Sequence, residues 1–290
     1  MPADPDQFAT QANRLPLKLR LLKAAIAGAS IIAPQAVAQY GFNLFITPKR
    51  RPISEKQRRF LETGEQFTIP YQSQQLVAYR WGQGPIVLLV HGWQANAATM
   101  QYFVNPLVEA GYQVVAMDGP AHGASPGTQL HLLQYGDAVL SAINALGGVH
   151  AIIAHSVGGA SVATMLGTHL HFRIDKVVLV GAVDKLTSML DRYAEGFGLS
   201  AGVRHAMDTV IESRLGHPPQ FYSNPDLLAD FPRPVLVVHD RNDDIVPFAA
   251  AEAITNNVKS SRLLATNGLG HRRILRDEDT IHQIVEFIRE

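Results

Sequence analysis

Short runs of apolar, often β-branched residues recur along the chain from residue 67 onward, separated by longer stretches with helical periodicity. Most of these runs are apolar throughout rather than alternating, which is typical of strands that are buried on both faces of a sheet. They predict strands at Val77–Trp81, Ile86–Val90, Gln113–Met117, Ala151–Ala154, Lys176–Val180, Val235–His239 and Arg262–Ala265.

Helical periodicity fills most of the intervals between the predicted strands. It covers Ala98–Ala110, Leu130–Leu146, Gly158–Leu170, Phe248–Val258 and Glu278–Ile288. In the last of these segments, four aliphatic residues fall at i, i+3, i+4 and i+7 and form one apolar stripe. Regular alternation of strands and helices predicts an α/β fold, with a mostly parallel twisted sheet and helices on both faces.

Residues 183–233 interrupt this alternation with short helical patterns, many Gly and Pro residues and no clear strand. We interpret them as a helical cap insertion over the carboxyl edge of the sheet, where ligands bind in such folds. The apolar residues of the insertion either line a substrate pocket or form its own core. They are Leu186, Met189, Leu190, Phe197, Leu199, Met207, Phe221 and Tyr222.

The predicted organisation is an α/β domain over residues 67–290, preceded over residues 1–66 by a helical extension and a basic connector. Residues 14–38 fit three interpretations: an amphipathic helix, a signal peptide ending near Ala38, or a membrane-spanning helix. The third is disfavoured because the uninterrupted apolar stretch Ala24–Ala33 is far shorter than the roughly 20 residues of a span. The favoured amphipathic helix packs on the main body or lies weakly on a membrane surface.

A cytoplasmic location accompanies the favoured interpretation, with export or peripheral membrane attachment as alternatives. The basic, Pro-punctuated segment 47–59 is expected to be a solvated connector. Twenty-five Lys and Arg residues balance 25 Asp and Glu residues, which argues against a nucleic-acid partner. With 47% apolar and 17% charged residues, the chain can bury a sizeable core. The absence of Cys excludes disulfides, thiolate metal sites and a Cys nucleophile.

Ser156 lies where a predicted strand turns into a predicted helix. Ala154 and Gly158, two residues before and after it, are small enough for a tight turn that exposes the serine hydroxyl. The helix that begins there directs free N–H groups toward an anion. These features fit a nucleophile and a serine that caps the helix equally well.

Three further polar segments also follow predicted strands, and so are expected at the same sheet edge. His91-Gly92-Trp93 can aim a backbone N–H at the point reached by the Val157 N–H, although this tripeptide alone is more typical of a simple Gly turn with a buried, hydrogen-bonded His91. The loop 240–247 contains carboxylates that can orient a histidine, or that merely cap a helix. His271, beside Gly270, has the imidazole pKa of about 6.5 that suits proton transfer, unless it is simply exposed.

Together, these segments resemble the α/β-hydrolase fold superfamily over roughly residues 67–290. The resemblance rests on His91-Gly92-Trp93, Asp118–Ser125, Ala154–Gly159, Asp243–Pro247 and Gly270-His271. Two positions depart from the family pattern, because Ala154 and Asp240 stand where Gly is common.

The resemblance implies a serine hydrolase with Ser156 as nucleophile, His271 as base and Asp243 as triad acid, Asp244 being the alternative acid. It also implies that the N–H groups of Trp93 and Val157 form an oxyanion hole. The expected reaction is cleavage of a small-molecule ester through an acyl-enzyme, without a metal or an organic cofactor.

Other activities stay open at this stage. The same triad can transfer the acyl group to an acceptor other than water, and the fold can persist in a non-catalytic binding protein. Metal-dependent hydrolysis is disfavoured, because no His-Glu-x-x-His motif accompanies the 12 histidines.

Overall fold

A computed structural model describes residues 28–169 and 173–290. These residues divide into two compact units, which are described separately. The first unit holds residues 28–45 and 189–219, and the second holds residues 46–169, 173–188 and 220–290.

An eight-stranded sheet forms the centre of the second unit. Its strands are β1 Glu65–Tyr71, β2 Gln74–Trp81, β3 Ile86–Val90, β4 Gln113–Met117, β5 Val149–His155, β6 Ile174–Val180, β7 Val235–Asp240 and β8 Ser261–Thr266. The strand order is β1-β2-β4-β3-β5-β6-β7-β8. The β1–β2 and β2–β4 pairs are antiparallel, and every other pair is parallel. The predicted α/β fold with a mostly parallel sheet is confirmed.

Eleven labelled α-helices accompany the strands in the described parts of the chain. They are α1 Pro34–Phe45, α2 Glu55–Leu61, α3 Val104–Glu109, α4 Leu132–Ala145, α5 Val157–Thr168, α6 Leu186–Phe197, α7 Ala201–Leu215, α8 Asn224–Leu227, α9 Ala249–Asn257, α10 Gly270–Arg273 and α11 Glu278–Arg289. The predicted helix over 98–110 begins as a 3₁₀ helix at 97–103 before it continues as α3.

Both faces of the sheet are covered, which explains the uninterrupted apolar strands. In β3, Leu88 and Val90 belong to a core built with α4, α5 and α9. Val87 and Leu89 of the same strand belong to a second core, built with α3 and α11. Successive side chains of a strand point to opposite faces, so a strand between two helical layers needs apolar residues at every position.

The first strand was not predicted from the sequence. β1 pairs antiparallel with β2 along its whole length, but only Ile69 and Tyr71 are buried. Pro70 is tolerated because β1 is the outer strand of the sheet. A polar edge strand lacks the apolar run by which the central strands are recognised.

In the first unit, residues 28–32 are helical and α1 packs against α7. Ala38 and Phe42 of α1 are buried, and the Tyr193 hydroxyl donates a hydrogen bond to the Gly41 carbonyl at 3.0 Å. The end of the predicted amphipathic helix, residues 28–38, is thus largely helical and leads into α1, which packs against α7. Residues 14–27 of the predicted helix lie outside the described part of the chain. No helix in the described ranges is long and apolar enough to span a membrane.

The segment 183–233 contains α6, α7 and α8 and, as expected, no regular strand among its residues. Leu190 and Met207 are completely buried, and Leu186 and Tyr222 nearly so. Burial of these side chains favours the core interpretation for these four residues. That the segment covers the carboxyl edge of the sheet stays a prediction.

Candidate active site

Ser156 lies between the last residue of β5 and the first residue of α5, with φ 54° and ψ −123°. A positive φ is uncommon for a residue that carries a Cβ, and such strain often marks functional sites. Gly158 lets the start of α5 approach the segment after β3, since a Cβ there would lie 2.3 Å from the His91 carbonyl oxygen. The structure thus has the strand–turn–helix geometry that presents a serine hydroxyl at the end of a strand, although Ser156 itself is only 6% exposed.

A continuous chain of hydrogen bonds joins Ser156, His271 and Asp243. The Nε2 atom of His271 lies 3.0 Å from Ser156 Oγ, and its Nδ1 atom lies 2.7 Å from Asp243 Oδ2. The side chains of His271 and Asp243 are only 6% and 1% exposed. Asp243, rather than the exposed Asp244, contacts the imidazole.

The hydrogen bonds of Asp243 keep its carboxylate ionised although it is buried. Burial raises its pKa, but the hydrogen bond from His271 and those from the Ile245 and Val246 N–H groups, both 2.8 Å, outweigh this effect. The net pKa is therefore lowered. An ionised carboxylate at this place fixes the imidazole tautomer with a proton on Nδ1, and it stabilises the imidazolium.

The two backbone N–H groups expected to form an oxyanion hole belong to segments next to the serine. Trp93 follows β3, and Val157 opens α5 at the positive end of the helix dipole. The two segments approach closely, since a Cβ on Gly92 would lie 3.1 Å from Ser156 Cβ. Within the described ranges, neither N–H group donates to a backbone acceptor outside regular helices and strands. Free N–H groups at these positions are suited to donate hydrogen bonds to a developing oxyanion.

His91 and His122 are buried and neutral. His91 accepts the Gly119 N–H at Nε2 (3.0 Å) and donates from Nδ1 to the Gly92 carbonyl (2.7 Å). His122 likewise accepts the Gln94 N–H and donates to the Pro120 carbonyl. Burial lowers the pKa of each ring to about 4. Both rings therefore hold loops in place, and neither has a nitrogen left to act as a base.

His155 was not singled out from the sequence. Its buried Nε2 atom lies 3.0 Å from the His271 carbonyl oxygen, and the centres of the two rings are 4.7 Å apart. Burial is the main cause that lowers the pKa of His155 to about 3, and electrostatic repulsion from His271 lowers it further. The neutral ring therefore donates to the backbone of His271. Its place next to Ser156 was the only sequence signal, because the contact with His271 spans 116 residues.

The segment 47–59 is largely exposed, as expected for a solvated connector, and within it Arg50 also holds a neighbouring loop. Its guanidinium donates hydrogen bonds to the carbonyl oxygens of Gly123 (2.6 Å), Ser125 (2.6 Å) and Gly127 (3.0 Å). From inside the same loop, Asp118 accepts the N–H groups of Ala97 (2.7 Å) and Ala124 (2.8 Å). The family-typical loop 118–125 is thus fastened from both sides.

Comparisons with known proteins agree with this architecture. The model of the alpha/beta hydrolase family matches residues 87–284. A non-heme haloperoxidase of Rhodococcus erythropolis is 27% identical over 256 residues, covering 72% of this chain and 93% of that protein. A bifunctional esterase/perhydrolase of Acinetobacter calcoaceticus is 24% identical over 270 residues, covering 72% and 94% of the two chains.

Solved structures show the same fold. An esterase from Exiguobacterium antarcticum superposes with a TM-score of 0.62 at 20% sequence identity, covering 78% of this chain and 100% of that one. The family match extends from β3 into α11 and so includes the serine turn, the acid loop and the histidine loop. The chain therefore belongs to the alpha/beta hydrolase family.

Proposed function

We propose that this protein is a serine hydrolase that cleaves a carboxylic ester, or a related acyl bond, through an acyl-enzyme. The observation that carries the proposal is the hydrogen-bond chain from Ser156 Oγ through His271 to Asp243. The membership of the alpha/beta hydrolase family, whose relatives include an esterase/perhydrolase, supports it.

In the first half of the proposed reaction, Ser156 Oγ attacks the ester carbonyl carbon while His271 Nε2 takes the hydroxyl proton. The carbonyl oxygen becomes negative and accepts hydrogen bonds from the N–H groups of Trp93 and Val157. The bond to the leaving alcohol then breaks as His271 returns the proton to the alcohol oxygen. Asp243 stabilises the imidazolium that forms between these two steps.

In the second half, water replaces the alcohol. His271 takes a proton from water while the water oxygen attacks the acyl carbon, and the second tetrahedral intermediate uses the same two N–H groups. The bond to Ser156 Oγ breaks as His271 protonates that oxygen, which releases the carboxylic acid and restores the enzyme.

A panel of p-nitrophenyl esters of graded chain length, run on the wild type and on Ser156→Ala, tests the proposal. Ser156→Ala should lower kcat by roughly 10⁴-fold or more while the protein stays folded. Ser161→Ala is a matched control, because its buried hydroxyl on α5 has no hydrogen-bond partner among the described residues. An undiminished rate in Ser156→Ala would defeat the proposal.

A fluorophosphonate probe separates this enzyme from a non-catalytic binding protein. Covalent labelling at Ser156, located by mass spectrometry, is expected in the wild type and in Ser161→Ala, but not in Ser156→Ala. Complete absence of labelling would favour the binding protein. Adding acceptor alcohols or amines to the ester assay would reveal acyl transfer as a product other than the free acid.

A further inference from the structure

Asp240, the last residue of β7, is completely buried and plays no part in the proposed reaction. Its Oδ1 atom accepts the Asn242 N–H at 2.9 Å. Its Oδ2 atom accepts the Thr266 hydroxyl at 2.7 Å and the Leu269 N–H at 3.0 Å. The Gly270 N–H also donates to this carboxylate. All four donors are neutral groups that converge on one buried carboxylate.

These hydrogen bonds stabilise a charge that burial alone would disfavour. Burial raises the pKa of Asp240, but the hydrogen bonds from Thr266, Gly270, Leu269 and Asn242 together lower it to about 2. Hydrogen bonds to ionised groups are roughly twice as strong as those between neutral groups. A carboxylate therefore fastens these four donors more firmly than a neutral side chain of the same size would.

Thr266 ends β8, and the other three donors lie in the two segments that carry the acid and the base of the proposed triad. Asn242 directly precedes Asp243, and Leu269 and Gly270 directly precede His271. A second bond reinforces the junction, since the Gly268 N–H donates to Asn242 Oδ1 at 3.0 Å. The residues next to the acid and the base of the proposed triad are thus held by one side chain.

We propose that Asp240 is a positioning residue, which sets the distance between Asp243 and His271 by binding the two loops that carry them. This inference rests on the proposed function. The Asp243–His271 hydrogen bond of 2.7 Å is sensitive to small loop shifts, and misplacement by about 1 Å can cost on the order of 100-fold in rate. Asp240 acts through the backbone of its neighbours, so its loss should affect the chemical step more than substrate binding.

Three variants test this. Asp240→Asn keeps the shape but replaces the carboxylate with a neutral amide, and Asp240→Gly removes the side chain altogether. Thr266→Val removes one of the four hydrogen bonds and leaves the carboxylate in place. Asp230→Asn is the matched control, because Asp230 is an exposed aspartate that pairs with Lys259.

For Asp240→Asn and Asp240→Gly, kcat should fall by about tenfold or more while KM changes by less than about threefold. The rate constant of fluorophosphonate labelling at Ser156 should fall in parallel. Thr266→Val should give a smaller loss, and Asp230→Asn should match the wild type. A purely structural role would instead lower the thermal unfolding temperature and leave kcat per titrated active site unchanged.

A folded Asp240→Asn with kcat within about twofold of the wild type would overturn the proposal. If Asp240→Asn does not fold, Thr266→Val decides, and an unchanged kcat there is the overturning result. The low-field NMR resonance of the proton between His271 and Asp243 supplies a readout without catalysis. This resonance should weaken in Thr266→Val whether or not the wild type reacts with the probe. A wild type that does not react with the probe would reject the proposed function but not the positioning role of Asp240.

Discussion

Ser156 and Asp243 illustrate how single residues at this site depend on their local backbone. A left-handed conformation costs a non-glycine residue on the order of 1–3 kcal/mol, and the flanking strand β5 and helix α5 hold Ser156 in it. Asp243 keeps its charge because His271 binds Oδ2 and two N–H groups of its own loop bind Oδ1. The chemistry assigned to each side chain is therefore set by main-chain geometry.

The choice of triad acid can be decided by paired variants at the residue scale. Asp243→Asn places an amide beside His271 Nδ1 and favours the wrong imidazole tautomer, so kcat should fall by about 10³–10⁴-fold with a small change in KM. Asp244→Asn alters an exposed side chain of the same loop and should leave kcat near the wild-type value. Steady-state kinetics on one p-nitrophenyl ester measures both. Loss of activity in Asp244→Asn alone would reverse the assignment.

Buried histidines make the folded state sensitive to acid. The pKa is lowered to about 4 for His91 and His122 and to about 3 for His155, whereas an unfolded His titrates near 6.5. Below pH 6.5 the unfolded chain therefore binds more protons than the folded one, so stability falls as the pH falls through this window. Each such residue contributes a slope of up to about 1.4 kcal/mol per pH unit.

Urea unfolding at pH 7, 6, 5 and 4.5 measures this slope. The free energy of unfolding should decrease steadily below pH 6.5, and His122→Gln should decrease less steeply because one titrating ring is gone. His205→Gln is the control, since that side chain is 88% exposed. Equal slopes in wild type and His122→Gln would show that His122 titrates alike in both states.

At the scale of elements, features that depend on a local apolar pattern could be predicted from the sequence, whereas contacts between distant segments could not. The central strands and α11 were predictable because burial on both faces, or on one helical stripe, imposes a local pattern. The strand β1 was missed because its outer position removes that pattern. The serine turn, the acid loop and the histidine loop could each be located as strand-end segments. The contacts of His155, Asp240 and Arg50 could not, because each joins segments far apart in sequence without a periodic signature.

Arg50 offers a test of how one side chain holds a loop. Arg50→Ala removes the donor from the carbonyls of Gly123, Ser125 and Gly127, so the free energy of unfolding should fall by about 1–2 kcal/mol. Amide hydrogen exchange in residues 121–127 should accelerate more than elsewhere. Arg51→Ala, at the exposed neighbouring arginine, is the control. Unchanged exchange in that loop would show that Asp118 alone suffices to hold it.

On the scale of the whole molecule, zero net charge conceals an uneven distribution. Between Asp6 and Glu55 the chain has no acidic residue but seven Lys or Arg residues. In the described part of this segment, Ile31 and Ile32 are 84% and 87% exposed. Exposed apolar side chains in a basic segment are typical of helices that lie on anionic membrane surfaces. The balanced composition, which argues against a polyanionic partner for the whole chain, thus leaves this segment as an exception.

We therefore expect the full chain to bind vesicles that contain anionic phosphatidylglycerol, more weakly as salt increases, and to bind neutral phosphatidylcholine vesicles poorly. The double variant Ile31→Glu, Ile32→Glu should abolish binding, because it removes the apolar contact and adds repulsion at the same place. Leu263→Glu, at a 36% exposed apolar position of β8 in the second unit, is the control and should bind like the wild type. Co-sedimentation of protein with vesicles measures all three. Binding that survives the double variant would contradict a role for these isoleucines. Failure of the wild type to sediment with the vesicles would show that the basic segment does not bind anionic membranes.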